Sequence, residues 1–162
     1  MLPLVIAPQP ILRATAKPVE LPLSEIVVSF ADELLQAMKH YRGIGLAAPQ
    51  VATGIRIIAV GANVTPKIYV NPEVVKRSWK KVDFEEGCLS LPGLYGIVRR
   101  PERVLARYYD VAGMRHEEWL EGLVSRVYQH EVDHLNGILF FDLTTTFTAG
   151  EELLANYQAL PR

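Results

Sequence analysis

The residues best suited to chemistry are bunched in His130-Glu131-Val132-Asp133-His134, an H-E-x-x-H sequence. On a helix, at about 100° per residue, His130 and His134 share one face one turn apart, and two imidazoles so placed can hold one metal ion. Glu131 is rotated around the helix from His130 and is placed to move a proton beside that ion. Leu123, Val127, His130 and His134 form a stripe at steps of four, three and four. Leu120, Val124, Val127, Glu131 and Leu135 form an adjoining one. Both histidines and the carboxylate therefore sit where the pattern demands core residues. A buried carboxylate without a partner is costly, and a shared metal reconciles three polar residues on one apolar face. The plainer alternative is a pair of hydrogen-bonded core histidines and a salt-bridged Glu131.

Two histidines need a third ligand. No His follows His134, so the candidates are the downstream acids Asp142, Glu151 and Glu152, and the single cysteine in Glu86-Gly87-Cys88-Leu89-Ser90. Gly87 before Cys88 and Pro92-Gly93 after it predict a tight loop able to present a thiolate. The ordinary role of a lone Cys is that of a small buried hydrophobe. Gly43-Ile44-Gly45-Leu46-Ala47-Ala48 matches the dinucleotide fingerprint G-x-G-x-x-A in its letters only. That fingerprint follows a strand, opens a helix and has an acid about 20 residues on. Here the segment follows a helix and precedes a strand, and no acid lies between Glu33 and Glu73. It is read instead as a glycine loop whose backbone approaches a ligand closely, closed by the Gln50 amide.

The elements that position these residues are read from periodicity. Residues 3–23 hold five prolines and read as an extended arm. Ser24 caps a helix over 24–42, with Ile26, Phe30, Leu34 and Met38 on its apolar face and Gly43 as its stop. After a loop over 43–54, strands are expected at Ile55 to Val60, Lys67 to Asn71, Val74 to Phe84, Gly96 to Arg99 and Val104 to Tyr109. A hairpin turn at Asp110-Val111-Ala112-Gly113 leads into Met114 to Trp119. The second helix runs from Leu120 to Leu135, with Gly137 just beyond, and a short third one over 150–159. Short strands interrupted by few helices indicate α+β rather than a doubly wound sheet.

A chain of 162 residues fits one domain with a sizeable core. Its apolar share of 49% excludes wholesale disorder. Its 17 basic and 18 acidic residues leave a net charge of −1, with no basic excess to neutralise phosphates, so no direct nucleic-acid reader is expected. One cysteine excludes an intrachain disulfide and fits a reducing compartment. No apolar run approaches the roughly 20 residues of a membrane span. Leu2 to Leu12 followed by Ala14-Thr15-Ala16 imitates a signal peptide. It lacks a preceding basic region and is broken by Pro3, Pro8 and Pro10, so no export signal is expected. His40 and His116 lie on polar segments and are expected at the surface.

Taken together, the three segments resemble the peptide deformylases. Gly43-Ile44-Gly45-Leu46-Ala47-Ala48-Pro49-Gln50 is similar to that family's G-x-G-x-A-A-x-Q motif. Glu86-Gly87-Cys88-Leu89-Ser90 is similar to its E-G-C-x-S, and Gln129-His130-Glu131-Val132-Asp133-His134 to its Q-H-E-x-D-H. All arrive in the family's order, and Leu12-Arg13 and Leu135-Asn136-Gly137 extend the likeness over nearly the whole chain. The resemblance implies one metallohydrolase domain over 1–162, of α+β class, with short, mostly antiparallel strands packed around a central helix carrying H-E-x-x-H. It implies a cytoplasmic hydrolase that removes the formyl group from the N-terminal formyl-methionine of new polypeptides.

The resemblance also implies roles. Cys88, His130 and His134 are the ligands of one Fe2+, for which Ni2+, Co2+ or Zn2+ substitute. Glu131 is the acid/base, and Gln50 and the Leu89 N–H hold the oxyanion. Ile44, Gly45, Leu123 and Val127 are expected against the substrate, and the ribosome near its exit tunnel is an expected partner. Glu86 is read as structural, paired with Arg99 or Arg100. Two departures lie outside the motifs. Only 20 residues (162 − 142) follow Asp142, where many relatives carry a long helix, and Tyr95 stands where some have a basic residue. Two other classes are distinguishable: a zincin-like endopeptidase, whose activity would survive loss of Cys88, and a non-enzymatic structural metal protein, which would need a fourth protein ligand.

Overall fold

The computed structural model describes residues 1–158. Two antiparallel sheets and two main helices make up the fold. The larger sheet has the order β1-β2-β3-β6-β7, from β1 (Gly45–Ala47), β2 (Ile57–Val60), β3 (Lys67–Arg77), β6 (Arg103–Tyr109) and β7 (Arg115–Glu121). The smaller has the order β4-β5-β8, from β4 (Lys81–Gly87), β5 (Tyr95–Pro101) and β8 (Thr144–Ala149). All named strand pairs are antiparallel, as the α+β reading requires.

Strand β2 explains the layering. All four of its residues are buried. Ile57 and Ala59 pack with Leu34, Ala37 and Met38 of helix α1 (Glu25–His40), while Ile58 and Val60 pack with Val127, Tyr128, Val132 and Leu135 of helix α2 (Gly122–Leu135). Because side chains alternate along a strand, the two helices cover opposite faces of the sheet. A third cluster, including Leu12, Leu91, Leu94, Val98 and Phe140, underlies the small sheet.

Ser24 caps α1 as expected, accepting the Val27 N–H at 3.4 Å. Of the expected apolar face, Leu34 and Met38 are buried and Phe30 packs on the same cluster, but Ile26 is 81% exposed, and Val27 is the residue of the first turn that meets the core. The region expected as a loop over 43–54 contains β1 and a 3-10 turn, Ala48–Val51. The two strands expected on either side of Pro72 are one. Proline is tolerated there because the β3–β6 register shifts between Val70 and Glu73. Asn71, at φ +49°, bonds the Val19 backbone instead. The chain then breaks at 78–80, where the Ser78 hydroxyl takes up turn hydrogen bonds, and restarts as β4. Leu120 and Glu121 belong to β7 rather than to α2. The third helix is a 3-10 turn, Glu151–Leu153, and a four-residue α3, Leu154–Tyr157, while residue 159 lies outside the described residues.

The arm of residues 3–23 laces together the three segments singled out above. Val5 N–H donates to Gln50 O at 2.8 Å, Ala7 N–H to Ser90 O at 2.9 Å and Ala16 N–H to Leu135 O at 2.9 Å. Gly137, at φ +70°, lies so close to Arg13 O that a Cβ there would sit 2.3 Å from it. Among the described residues, no helix is long and apolar enough to cross a membrane.

Candidate metal centre

Helix α2 presents His130, Glu131 and His134 inward, all three buried. Strand β4 ends at Gly87 and delivers Cys88 into a turn closed by Leu91 N–H to Cys88 O at 3.0 Å. Ligand atoms of Cys88, His130 and His134 all lie within 4.8 Å of one another. Cys88 Sγ is 3.3 Å from His134 Nε2. Asp142 and Glu151, considered for the third position, stand elsewhere. Asp142 is paired with Arg13, and Glu151 opens the terminal 3-10 turn.

Glu86 orients one imidazole. Its Oε2 accepts from His130 Nδ1 at 2.9 Å, which fixes the tautomer and leaves Nε2 for the cluster. Arg100 holds the same carboxylate with Nε at 2.6 Å and Nη2 at 3.0 Å, and reaches Asp133 of α2 at 2.8 Å. Burial works against ionisation of Glu86, yet the bonds from His130 and Arg100 hold it well below the usual carboxylate range. Of the two partners expected for Glu86, Arg100 is the one found. Arg99 faces outward, 3.9 Å from Asp83.

Glu131 differs from every carboxylate around it. Its Oε2 is buried without a hydrogen-bond partner, as is His134 Nδ1. Burial pushes the Glu131 carboxyl up to about 7 and the His134 imidazole down toward its neutral form. Orphaned buried polar atoms are rare in folded proteins. A thiolate and two imidazoles are the donor set of a first-row divalent cation, so the residues present fit one metal ion.

A cleft of about 440 Å³ opens over this cluster, lined by Ile44, Gly45, Gln50, Cys88, Leu89, Leu123, Val127, His130 and Glu131 among others. All four residues expected against substrate are therefore on its wall. Gln50 is buried and pinned at both ends of its amide: Oε1 accepts Ala47 N–H at 2.8 Å, and Nε2 lies 3.3 Å from Ser90 Oγ and 3.5 Å from Cys88 Sγ. Gly45 has to be glycine, since a Cβ there would lie 2.3 Å from Glu131 Oε1 and 2.5 Å from Val127 Cγ1. Strand β1, which contains it, is at the edge of the large sheet.

Sequence reasoning missed Phe84 and Arg126 as cleft residues, while Tyr95, noted as a departure from some relatives, also lines the cleft. For Arg126 a signal existed: a charged residue one helical turn before His130, on the face turned inward. His40 is exposed as expected. His116 is only half-buried, tied to Asp110 at 2.6 Å and stacked on Tyr108.

Comparisons with known proteins agree with this geometry. The family model described as polypeptide deformylase matches residues 1–148. A peptide deformylase of Brucella suis is 42% identical over 145 residues, covering 86% of this chain and 82% of that one. The crystal structure of peptide deformylase from Thermotoga maritima superimposes with a TM-score of 0.87 at 36% identity, covering 90% of this chain and 98% of that one. The Met-Ala-Ser-bound structure of a class I type b peptide deformylase from Acinetobacter baumannii gives 0.83 at 35% identity, covering 88% and 98%.

Proposed function

The chain belongs to the polypeptide deformylase family, a family of metal-dependent hydrolases that free nascent chains of their formyl group, and on that premise we propose how its own residues do this. The observation that carries the reading is the convergence of Cys88, His130 and His134 beside the unpartnered Glu131 carboxylate. Cys88 Sγ and the two imidazoles hold one divalent metal, and residues 1–162 act as a single metallohydrolase domain. When bound, the metal would supply Lewis acidity that makes the attacking water more acidic.

The rest is done by the protein. Glu131 takes a proton from the water that attacks the formyl carbon, and a C–O bond forms. It then delivers that proton to the methionyl nitrogen as the C–N bond breaks, releasing formate and a free amine. A buried carboxyl whose hold on its proton is strengthened by desolvation suits both halves of that task. Negative charge develops on the formyl oxygen, and Gln50 Nε2 and the Leu89 N–H stabilise it; Gln50 is pre-oriented by its bond from Ala47 N–H. The substrate lies along β1, whose outer edge can accept an extended peptide, with the Gly45 backbone close by and the first side chain against Leu123 and Val127. The Acinetobacter relative binds Met-Ala-Ser, a peptide that begins with methionine, which is in keeping with a methionyl peptide as ligand.

We assign Fe2+ as the native metal on the family likeness; the thiolate and two imidazoles would also accept Ni2+, Co2+ or Zn2+. The ribosome near its exit tunnel and a cytoplasmic location follow from the nature of the substrate. The test is formate release from formyl-methionyl peptides by protein purified without oxygen, with iron, nickel, cobalt and zinc forms compared at matched occupancy before and after exposure to air. The iron form should be active and lose activity in air, through the metal and the Cys88 sulfur, while nickel and cobalt forms persist. An air-stable iron form less active than the zinc form would refute iron, and no formate from any form would refute the activity.

A further inference from the structure

We propose that Arg126 is the positioning residue that sets the Cys88 strand against the helix bearing His130 and His134. The ligand candidates come from two bodies. Cys88 follows β4 of the three-stranded sheet, whereas the histidines ride on α2, which packs against the five-stranded sheet. Among the described residues, no β-ladder joins the two sheets. The thiolate-to-imidazole geometry therefore depends on what ties β4 and β5 to α2.

Gln129 Nε2 of α2 reaches Pro101 O of β5 at 3.0 Å, and the pairs Arg100–Asp133 and Glu86–His130 add one contact each, but Arg126 makes the broadest tie. It lies on α2 one turn before His130 and is 8% exposed. Nη1 donates to Glu86 Oε1 at 2.7 Å and to Val98 O of β5 at 3.0 Å, while Nη2 donates to Val82 O of β4 at 2.6 Å. Its guanidinium also lies over the Phe84 ring, 5.6 Å from the centroid. Glu86 is two residues from Cys88 along the chain and bonds His130 through its other oxygen. Arg126, Glu86 and His130 thus close a ring running from the helix to the cysteine strand and back. Arg100 shares Glu86, but it spans only from β5 to the carboxylates of Glu86 and Asp133. Arg126 alone of the two also grips the backbone of both strands.

The residue type follows from this task. Three acceptors in three directions suit a planar guanidinium fork, and a lysine ammonium offers a single point charge on a longer lever. Charge is matched as well, with Glu86 and Asp133 against Arg100 and Arg126. Taking Arg126 away leaves a buried carboxylate undercompensated directly behind His130.

The inference rests on the metal site proposed above, so the experiment reads that site first. Cobalt(II) is titrated into the apoprotein, and affinity is measured by chelator competition together with the near-ultraviolet sulfur-to-cobalt charge-transfer band. The wild type should show the band; its absence would remove the metal reading itself. Given the band, Arg126→Met should lower cobalt affinity by about 10–100-fold and weaken or shift the absorption. Arg126→Lys should restore part of both, and Lys67→Met, a half-exposed ion pair elsewhere, should change neither. An Arg126→Met protein with wild-type affinity and band, whatever its melting temperature, overturns the proposal and leaves a packing role only. Should Arg126→Met fail to fold, Arg126→Lys decides: weakened cobalt binding supports the proposal, and wild-type binding overturns it.

Discussion

Two clusters of ionisable side chains stand in different parts of this molecule. At the outer end of the large sheet, Lys67 donates to Tyr108 Oη at 2.9 Å and to Glu118 at 3.0 Å. Tyr108 donates to Glu118 at 2.7 Å, and the neighbouring His116 is held by Asp110. Every side chain named in that cluster has found a partner, and Lys67, Glu118 and His116 stand roughly half in water. At the junction of the two sheets, Glu86, Arg100, Arg126, Asp133 and His130 are similarly interlocked but lie in the interior. There the network stops short, leaving Glu131 Oε2 buried and unmatched in the cleft that Cys88 lines. A polar cluster that satisfies itself is structure. One that tightly orients some groups while leaving others without partners is prepared for something the chain does not itself contain. The interior position raises the stakes, because breaking a buried pair costs roughly 3–5 kcal/mol, whereas an exposed one costs about 0–1 kcal/mol.

The contrast is sharpest at Glu131. Glu131→Gln keeps the shape and removes the proton carrier, so kcat should fall by about 10²–10⁴ while metal content is unchanged. Near-normal turnover in a metal-loaded variant would falsify the assigned role. Gln50→Ala should lower kcat by about 10²–10³ with little change in KM, since the amide is held in place before charge develops. A change confined to KM would make Gln50 a ground-state binding residue instead. Gly45→Ala forces a Cβ into Glu131 and Val127. It should cost about 1–3 kcal/mol in denaturant unfolding, with a parallel loss of formate release because Glu131 is what has to move.

The three site segments were legible in the sequence because each is short and the residues that do the work stand next to one another. Local periodicity located α1 and α2 within a few residues, and Ser24 marked the start of α1. What escaped was non-local. Strand β8 is mostly threonine and buries almost nothing, so no apolar alternation announces it. The fusion of two expected strands through Pro72 depends on a bulge that only the partner strand β6 reveals. The division into two sheets, and with it the need for a residue like Arg126 to join them, is a matter of pairing between distant segments. Glu86 was suspected of an arginine partner, but which of two adjacent arginines turns inward follows from the alternation of β5, where Arg100 is buried and Arg99 exposed.

The smallest predicted effect comes from the outer cluster and tests the comparison from its other side. Lys67→Met removes a cation whose partners Tyr108 and Glu118 still bond each other, so no polar atom of that pair is stranded. The side chains of Lys67 and Glu118 are 52% and 43% exposed, and water replaces most of what the ammonium supplied. The Lys67 ammonium lies 5.7 Å and 5.4 Å from the ring centroids of Tyr69 and Tyr108, a half-exposed cation–π contact of small worth, and the apolar end of methionine can occupy that space. Stability should therefore drop by less than about 1 kcal/mol, a shift of roughly 2–4 °C or less in Tm for a chain of this size. The value of kcat/KM should stay within twofold, a bound of the order expected for a surface change of about 0.5 kcal/mol or less at a site away from the chemistry. A tenfold loss of kcat/KM in this variant would mean that the two clusters are coupled through the large sheet, and the distinction between a closed cluster and a prepared one would fail.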